Sequence, residues 1–183
     1  LGAISIPATA QLTKKDIIYR NNAASIKMIV SVAEPEIVSF VEASMEESPT
    51  VVCKALVGGN REGWFDFDAE LDAASDHWER PCGKDAAGGY DIMLMYFTSG
   101  TTGMPKIVVH DFYHPLGHIV TAHYWQQLGE EGLHLTVSDS GWAKCGWGKI
   151  YGQWICGVAL FVYDMDKFVP DRLLKMMEKY RIT

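Results

Sequence analysis

The densest collection of residues able to do chemistry lies in Tyr96-Phe97-Thr98-Ser99-Gly100-Thr101-Thr102-Gly103-Met104-Pro105-Lys106. An apolar run delivers four hydroxyls, two glycines and then a lysine. Glycine lets the backbone turn its amides toward one point. The hydroxyls add donors, and an ammonium adds a compact charge suited to phosphate oxygens. Together they describe a loop for the phosphates of a nucleotide. The pattern is not the Gly-Lys-Ser/Thr loop that leads into a helix, which disfavours a kinase-like reading. Pro105 separates Gly103 from Lys106 and biases Met104 away from helix. Ile107-Val108-Val109 then continues as a strand, so the segment is expected to be strand, loop, strand. On composition alone an ordinary Thr/Ser/Gly surface turn is an open alternative.

Other reactive side chains carry weaker patterns. His110, His114 and His118 recur every four residues, followed by His123. On one helix that spacing would place them on one face, as in zinc sites. Pro115, however, sets the expected helix start there and leaves His110 on the preceding strand. No Cys or Glu completes a ligand set, so the histidines read as cap, core or surface residues and no metal site is assigned. Glu46-Glu47 and Glu130-Glu131 read as solvated charges rather than an acid/base pair. Cys53, Cys82, Cys145 and Cys156 lack a C-x-x-C spacing and read as neutral or buried thiols.

Alternating strands and helices must position these groups. Strands are expected at Ala3 to Pro7, Ile26 to Val32, Thr50 to Val57, Ile92 to Thr98, Lys106 to His110, Leu133 to Val137 and Gly157 to Tyr163. A helix begins after the N-cap Thr13, with Asp16 three residues on, and runs to about Ala23. A second covers Glu34 to Met45 with Pro35 in its first turn, and a short third covers Asp66 to Ala74. The Gly/Asp/Pro-rich stretch from Ser75 to Asp91 reads as a loop. Helices are expected from Pro115 to Gln127, around Trp147 and Trp154, and from Pro170 to Tyr180. The alternation argues an α/β fold with a mainly parallel sheet and flanking helices.

The 183 residues suffice for a hydrophobic core without disulfides or metal. Sixteen basic against 23 acidic residues give a net charge of -7, with no basic run. Broad electrostatic binding of nucleic acid or an anionic membrane is therefore excluded as an expectation. The longest nearly uncharged apolar run, Trp154 to Tyr163, is too short to span a bilayer. The N-terminus lacks a signal-peptide pattern. A cytoplasmic location follows as the expectation.

The string TSGTTGMPK resembles the phosphate-loop signature of the AMP-forming acyl-CoA synthetases, the adenylate-forming superfamily. Ser138-Asp139-Ser140-Gly141-Trp142-Ala143-Lys144 resembles the S/A-D-x-G-W segment of the short- and medium-chain branch. The stretch Gly2 to Asn22 also looks like the part of that family that precedes the loop. The resemblance implies a ligase of fatty acid metabolism, an AMP-forming acid-thiol ligase. A carboxylic acid attacks the α-phosphate of ATP to give acyl-AMP, and coenzyme A as co-substrate then takes the acyl group. By this resemblance Thr98, Ser99, Gly100, Thr101, Thr102, Gly103 and Lys106 bind ATP, with Lys106 and Thr101 closest to catalysis. Trp142 and Gly141 would border the acyl pocket. For Trp142 a core aromatic is the alternative, and for Lys144 a solvated or structural lysine is favoured over a phosphate contact.

The family's Mg²⁺-binding Glu segment, ribose-binding Asp, hinge and C-terminal lysine lobe have no counterpart in these 183 residues. The chain is accordingly expected to be a fragment of the synthetase's N-terminal lobe and to be inactive alone. It would comprise residues 1–127 as a nearly complete first sheet subdomain and 128–183 as the truncated start of a second. The opening Leu1 and the closing Arg181-Ile182-Thr183, read as the start of a severed strand, fit that expectation. An incomplete second sheet would expose apolar surface and favour self-association. A stand-alone nucleotide-phosphate binding module or scaffold without catalysis is the competing reading.

Overall fold

A computed structural model describes residues 2–99, 103–165 and 167–183. The chain divides into two compact units that interleave in sequence. One comprises Ala10–Ala86 and Phe97–Ile107. The other comprises Leu1–Thr9, Ala87–Tyr96 and Val108–Thr183.

The unit built around Ala10–Ala86 carries a three-stranded parallel sheet in the order β1 (Met28–Val32), β2 (Cys53–Val57), β3 (Phe65–Asp66). Met28 pairs with Cys53 and Val32 with Val57. Helix α1 (Lys14–Ala23) starts from a capping box. The Thr13 hydroxyl accepts from the Asp16 amide, and the Asp16 carboxylate accepts from the Thr13 amide at 3.0 Å. Helix α2 (Pro35–Ser44) has Pro35 at its start, where the missing N–H costs no helical hydrogen bond. Ile17, Val38, Val41, Leu56 and Trp64 form the core here. Burying five large apolar side chains stabilises this unit at about 1.5–3 kcal/mol each before the entropy cost of ordering them. Glu42 fixes the rim. Its carboxylate accepts from Arg61 Nε and Nη2, both at 2.7 Å, and from Trp64 Nε1 at 3.0 Å. Short helix α3 (Phe67–Ala73) begins where the Asp66 carboxylate accepts from the Ala69 amide.

In the other unit Ser5 makes a parallel bridge to Leu94 within β4 (Ile92–Thr98), so the strand expected at Ala3 to Pro7 contracts to one residue. Strand β4 pairs with β5 (Lys106–Asp111), and the division into units falls within the sequence of both strands. Leu94 and Tyr96 are buried. Helix α4 (His114–Val120) begins one residue before Pro115. The Asp111 carboxylate accepts from the Tyr113 and His114 amides at 3.0 and 2.9 Å and so starts the helix early. It runs into a π turn, Thr121–Trp125, and stops where Gln127 adopts φ 55°.

Strands β6 (Leu133–His134) and β7 (Ala159–Leu160) pair in parallel over only two residues each. The longer strands expected there are not realised, because each has a partner for only that length. Between them come α5 (Ala143–Cys145), a second π turn at Gly146–Ile150 and α6 (Tyr151–Ile155). Helix α7 (Pro170–Tyr180) ends with Arg181 in the left-handed region. The Ile182 amide then donates to the Met177 carbonyl. The tail turns back alongside β6, where the Thr183 amide donates to the Leu133 carbonyl at 3.2 Å.

Candidate functional site

The limbs of the Thr/Gly loop are set by β4 and β5. Thr98 ends β4, and its hydroxyl donates to the Lys106 carbonyl at 3.4 Å, closing the mouth of the loop. Ser99 and Lys106 are exposed, so a hydroxyl and an ammonium face solvent on opposite limbs. Gly103 sits at φ 139°, and among the described residues none but its chain neighbours comes within 4 Å of where a Cβ would lie. Only glycine takes that backbone without strain. Gly100, Thr101 and Thr102 lie outside the described residues.

Helix α1 braces the second limb. The Tyr19 hydroxyl donates to the Pro105 carbonyl at 2.7 Å, while its ring meets Phe97 edge-on at 6.1 Å. The Arg20 guanidinium covers the same Phe97 ring at 4.6 Å. Lys14, Lys15, Tyr19, Asn22, Glu47 and Met104 line an open depression beside this limb. Lys14 is paired with Glu47 at 3.1 Å. The order of residues does not announce this contact, because Tyr19 lies 86 residues from Pro105.

The second motif takes shape around Asp139. Its carboxylate accepts from the Gly141 amide at 2.7 Å and from the Thr9 hydroxyl at 3.1 Å. Gly141 meets the chain so closely that a Cβ would lie 2.1 Å from the Thr9 nitrogen. A packing requirement thus accounts for glycine there. Trp142 caps α5 with its indole 53% exposed rather than packed in the core. The Lys144 ammonium donates to the Val137 carbonyl at 3.3 Å, a structural use. Cys145 is buried, and burial pushes its thiol up.

Trp147, on the second π turn, stands among imidazoles. His118 stacks on it at 4.8 Å with planes 8° apart, and His110 and His114 approach at 4.7 and 4.4 Å. Tyr96 and Tyr151 complete the ring of contacts. Burial lifts the Tyr96 phenol to about 12. Burial, followed by the neighbouring imidazoles, holds His110 and His118 below the usual histidine range. Trp154, by contrast, is 64% exposed.

The Thr/Gly segment between β4 and β5 is thus carried by an α/β fold whose two units interleave in sequence. The family model of the AMP-binding enzymes matches residues 1–183, so the chain belongs to that family. It is 36% identical over its whole length to rat (Rattus norvegicus) acyl-coenzyme A synthetase ACSM4, mitochondrial, and 33% identical to human (Homo sapiens) ACSM3, mitochondrial. It spans 31% and 30% of those proteins. Among solved structures, the anthranilate CoA ligase AuaEII with anthranoyl-AMP superposes at a TM-score of 0.84 and 19% identity, covering all of this chain and 35% of that one. An acyl-CoA synthetase of Brucella canis superposes at 0.82 and 23% identity, covering all of this chain and 32% of that one. These likenesses establish the fold as the N-terminal-lobe α/β architecture. The mitochondrial location carried by the relatives' names overturns the cytoplasmic expectation. Composition is a poor guide to location because the same net charge serves either compartment.

Proposed function

We propose that this chain is the part of an AMP-forming acyl-CoA synthetase that holds the ATP phosphates and one side of the acyl pocket. The observation that carries the reading is the full-length family match, residues 1–183, across a segment whose loop limbs present Ser99 and Lys106 to solvent. The donor set suits an anion: hydroxyls and an ammonium, with a backbone conformation at Gly103 that glycine alone takes freely. When carboxylate attacks the α-phosphate, charge grows on the departing pyrophosphate. Donors already aimed at it stabilise that charge without reorganising. Thr98, Ser99, Gly100, Thr101, Thr102, Gly103 and Lys106 would hold the β- and γ-phosphates, with Lys106 and Thr101 nearest the developing charge. Magnesium would accompany ATP, but the loop offers it no carboxylate, so its protein ligand belongs to another part of the parent enzyme.

The exposed Trp142 would form a wall against the acyl chain, with Gly141 beside it. A small carboxylic acid, ATP and coenzyme A are the reactants of the parent enzyme. The adenine, ribose and magnesium contacts would come from other parts of the parent, and the 183 residues alone are inactive on this reading. Carboxylate-dependent exchange of pyrophosphate into ATP tests it. The parent enzyme is expected to exchange and to lose at least about 10²-fold in kcat in its Lys106→Ala form, the scale of losing one electrostatic donor. The 183-residue chain is expected to show no exchange. Full activity of the Lys106→Ala parent would refute the assignment.

A further inference from the structure

Outside the loop, the best-organised group of ligating side chains is the imidazole cluster on α4. Because Asp111 starts that helix at His114, His114 and His118 stand one turn apart on one face. Their Nε2 atoms lie 3.2 Å from each other. Two imidazole nitrogens bound to one tetrahedral metal at 2.0–2.1 Å would be separated by about 3.3 Å. The pair is therefore already spaced for chelation.

The rings are also held in the required orientation. The Thr121 hydroxyl donates to the His118 carbonyl at 3.0 Å, so its lone pair faces His118 Nδ1 at 3.3 Å. That partner suits a proton on His118 Nδ1, so the His118 Nε2 lone pair accepts from His114 Nε2–H and becomes available to an ion once His114 carries its proton on Nδ1. A hydrogen-bonded second nitrogen is the usual support of a metal-binding histidine. Trp147 backs the His118 ring face to face, and His110 and Trp147 flank His114. His114 is exposed, so an ion has a path from solvent.

We propose that His114 and His118 form a bidentate surface site for an imidazole-preferring divalent transition metal, with zinc and nickel as the test ions. Among the described residues no third histidine, cysteine or carboxylate completes a ligand set, so water fills the remaining positions. The site is consequently distinct from any magnesium site, since magnesium selects oxygen ligands. On binding, the His114 proton occupies Nδ1, both Nε2 lone pairs bind the ion, and no proton need be released from the neutral pair. The metal ties one turn of α4 together just ahead of the π turn.

Zinc and nickel titrations of the 183-residue chain by calorimetry at neutral pH, paired with thermal unfolding, test this. One equivalent is expected to bind, and the melting temperature is expected to rise with metal concentration, because an ion that binds only the folded state stabilises it. His114→Asn and His118→Asn are each expected to weaken binding at least tenfold and to abolish the melting shift. His114 is exposed, so its variant is expected to fold even if the half-buried His118 variant does not. Thr121→Val, which keeps both ligands, is expected to weaken binding about tenfold. His123→Asn should leave binding unchanged. No saturable binding, or binding retained in both ligand variants, would overturn the proposal. The latter result would place the ion on side chains other than this pair.

Discussion

The Tyr19 hydroxyl donates to the Pro105 carbonyl at 2.7 Å, tying helix α1 to the outgoing limb of the Thr/Gly loop. Proline has no N–H, so this limb lacks one of the backbone donors by which a loop usually anchors itself. A side chain from elsewhere must hold it. Tyr19→Phe keeps the edge-on contact with Phe97 and removes only the hydrogen bond. The expected loss is about 1 kcal/mol of stability, read as a lower urea midpoint at unchanged slope. A parent enzyme carrying the same change is expected to show a higher KM for ATP.

A second anchor lies behind α1. Asn21 is 2% exposed, and its amide donates to the Ser48 hydroxyl at 3.0 Å. Ser48 is 1% exposed, so neither group can turn to water instead. Ser48→Ala leaves a buried amide donor without its partner, at a cost of about 1–3 kcal/mol. The substitution barely changes volume. A loss well under that range in chemical denaturation would mean that the Asn21 amide finds another acceptor.

How far the sequence foretells these relationships depends on their range. The Thr13/Asp16 capping box, the Pro35 start of α2 and the strand Ile92 to Thr98 are local, and each is legible in the order of the residues alone. The start of α4 departs from its expected place because Asp111 acts across two residues and outweighs the signal from Pro115. Strand β3, with two residues, exists only because β2 is there to pair with it. The π turns have no periodicity to announce them. The Thr/Gly segment and its flanking strands can be named from the order of the residues. Their brace at Tyr19, the histidine pair beside Trp147 and the packing demand on Gly141 are products of tertiary approach.

The carboxylates of the first unit should shape its acid stability. Asp16 is held below the ordinary carboxylate value chiefly by its hydrogen bonds from Thr13, and Glu42 chiefly by those from Arg61 and Trp64. A depressed folded value means that each contributes stability above its unfolded value, about 4. That contribution is lost as pH falls through the depressed folded value. Unfolding free energy measured from pH 6 down to pH 2 should therefore decline in the acid range. Thr13→Ala should flatten part of that decline and cost about 1 kcal/mol at neutral pH, as for other N-caps. An unchanged pH slope in that variant would show that the Thr13 hydroxyl is not what holds Asp16 down.

Two glycines on neighbouring helices offer a sharper contrast. A Cβ on Gly152 of α6 would lie 2.6 Å from the His118 carbonyl oxygen and 3.1 Å from the His118 Cβ. Those atoms are backbone and near-backbone, so α4 and α6 would have to part. Gly117, one residue before His118 on α4, has no described atom outside its own helix backbone within 4 Å of its missing Cβ. Alanine there restricts the unfolded chain without meeting a neighbour. Gly152→Ala is expected to destabilise by about 1–3 kcal/mol, the cost of overpacking. Gly117→Ala is expected to stabilise by about 0.5–1 kcal/mol, the usual helix-interior difference. Thermal unfolding of the pair should therefore shift in opposite directions. The Gly152 change should also displace His118 from His114 and weaken zinc binding, whereas the Gly117 change should leave it intact. If both substitutions shift the melting temperature the same way, the close approach of α6 to His118 is wrong.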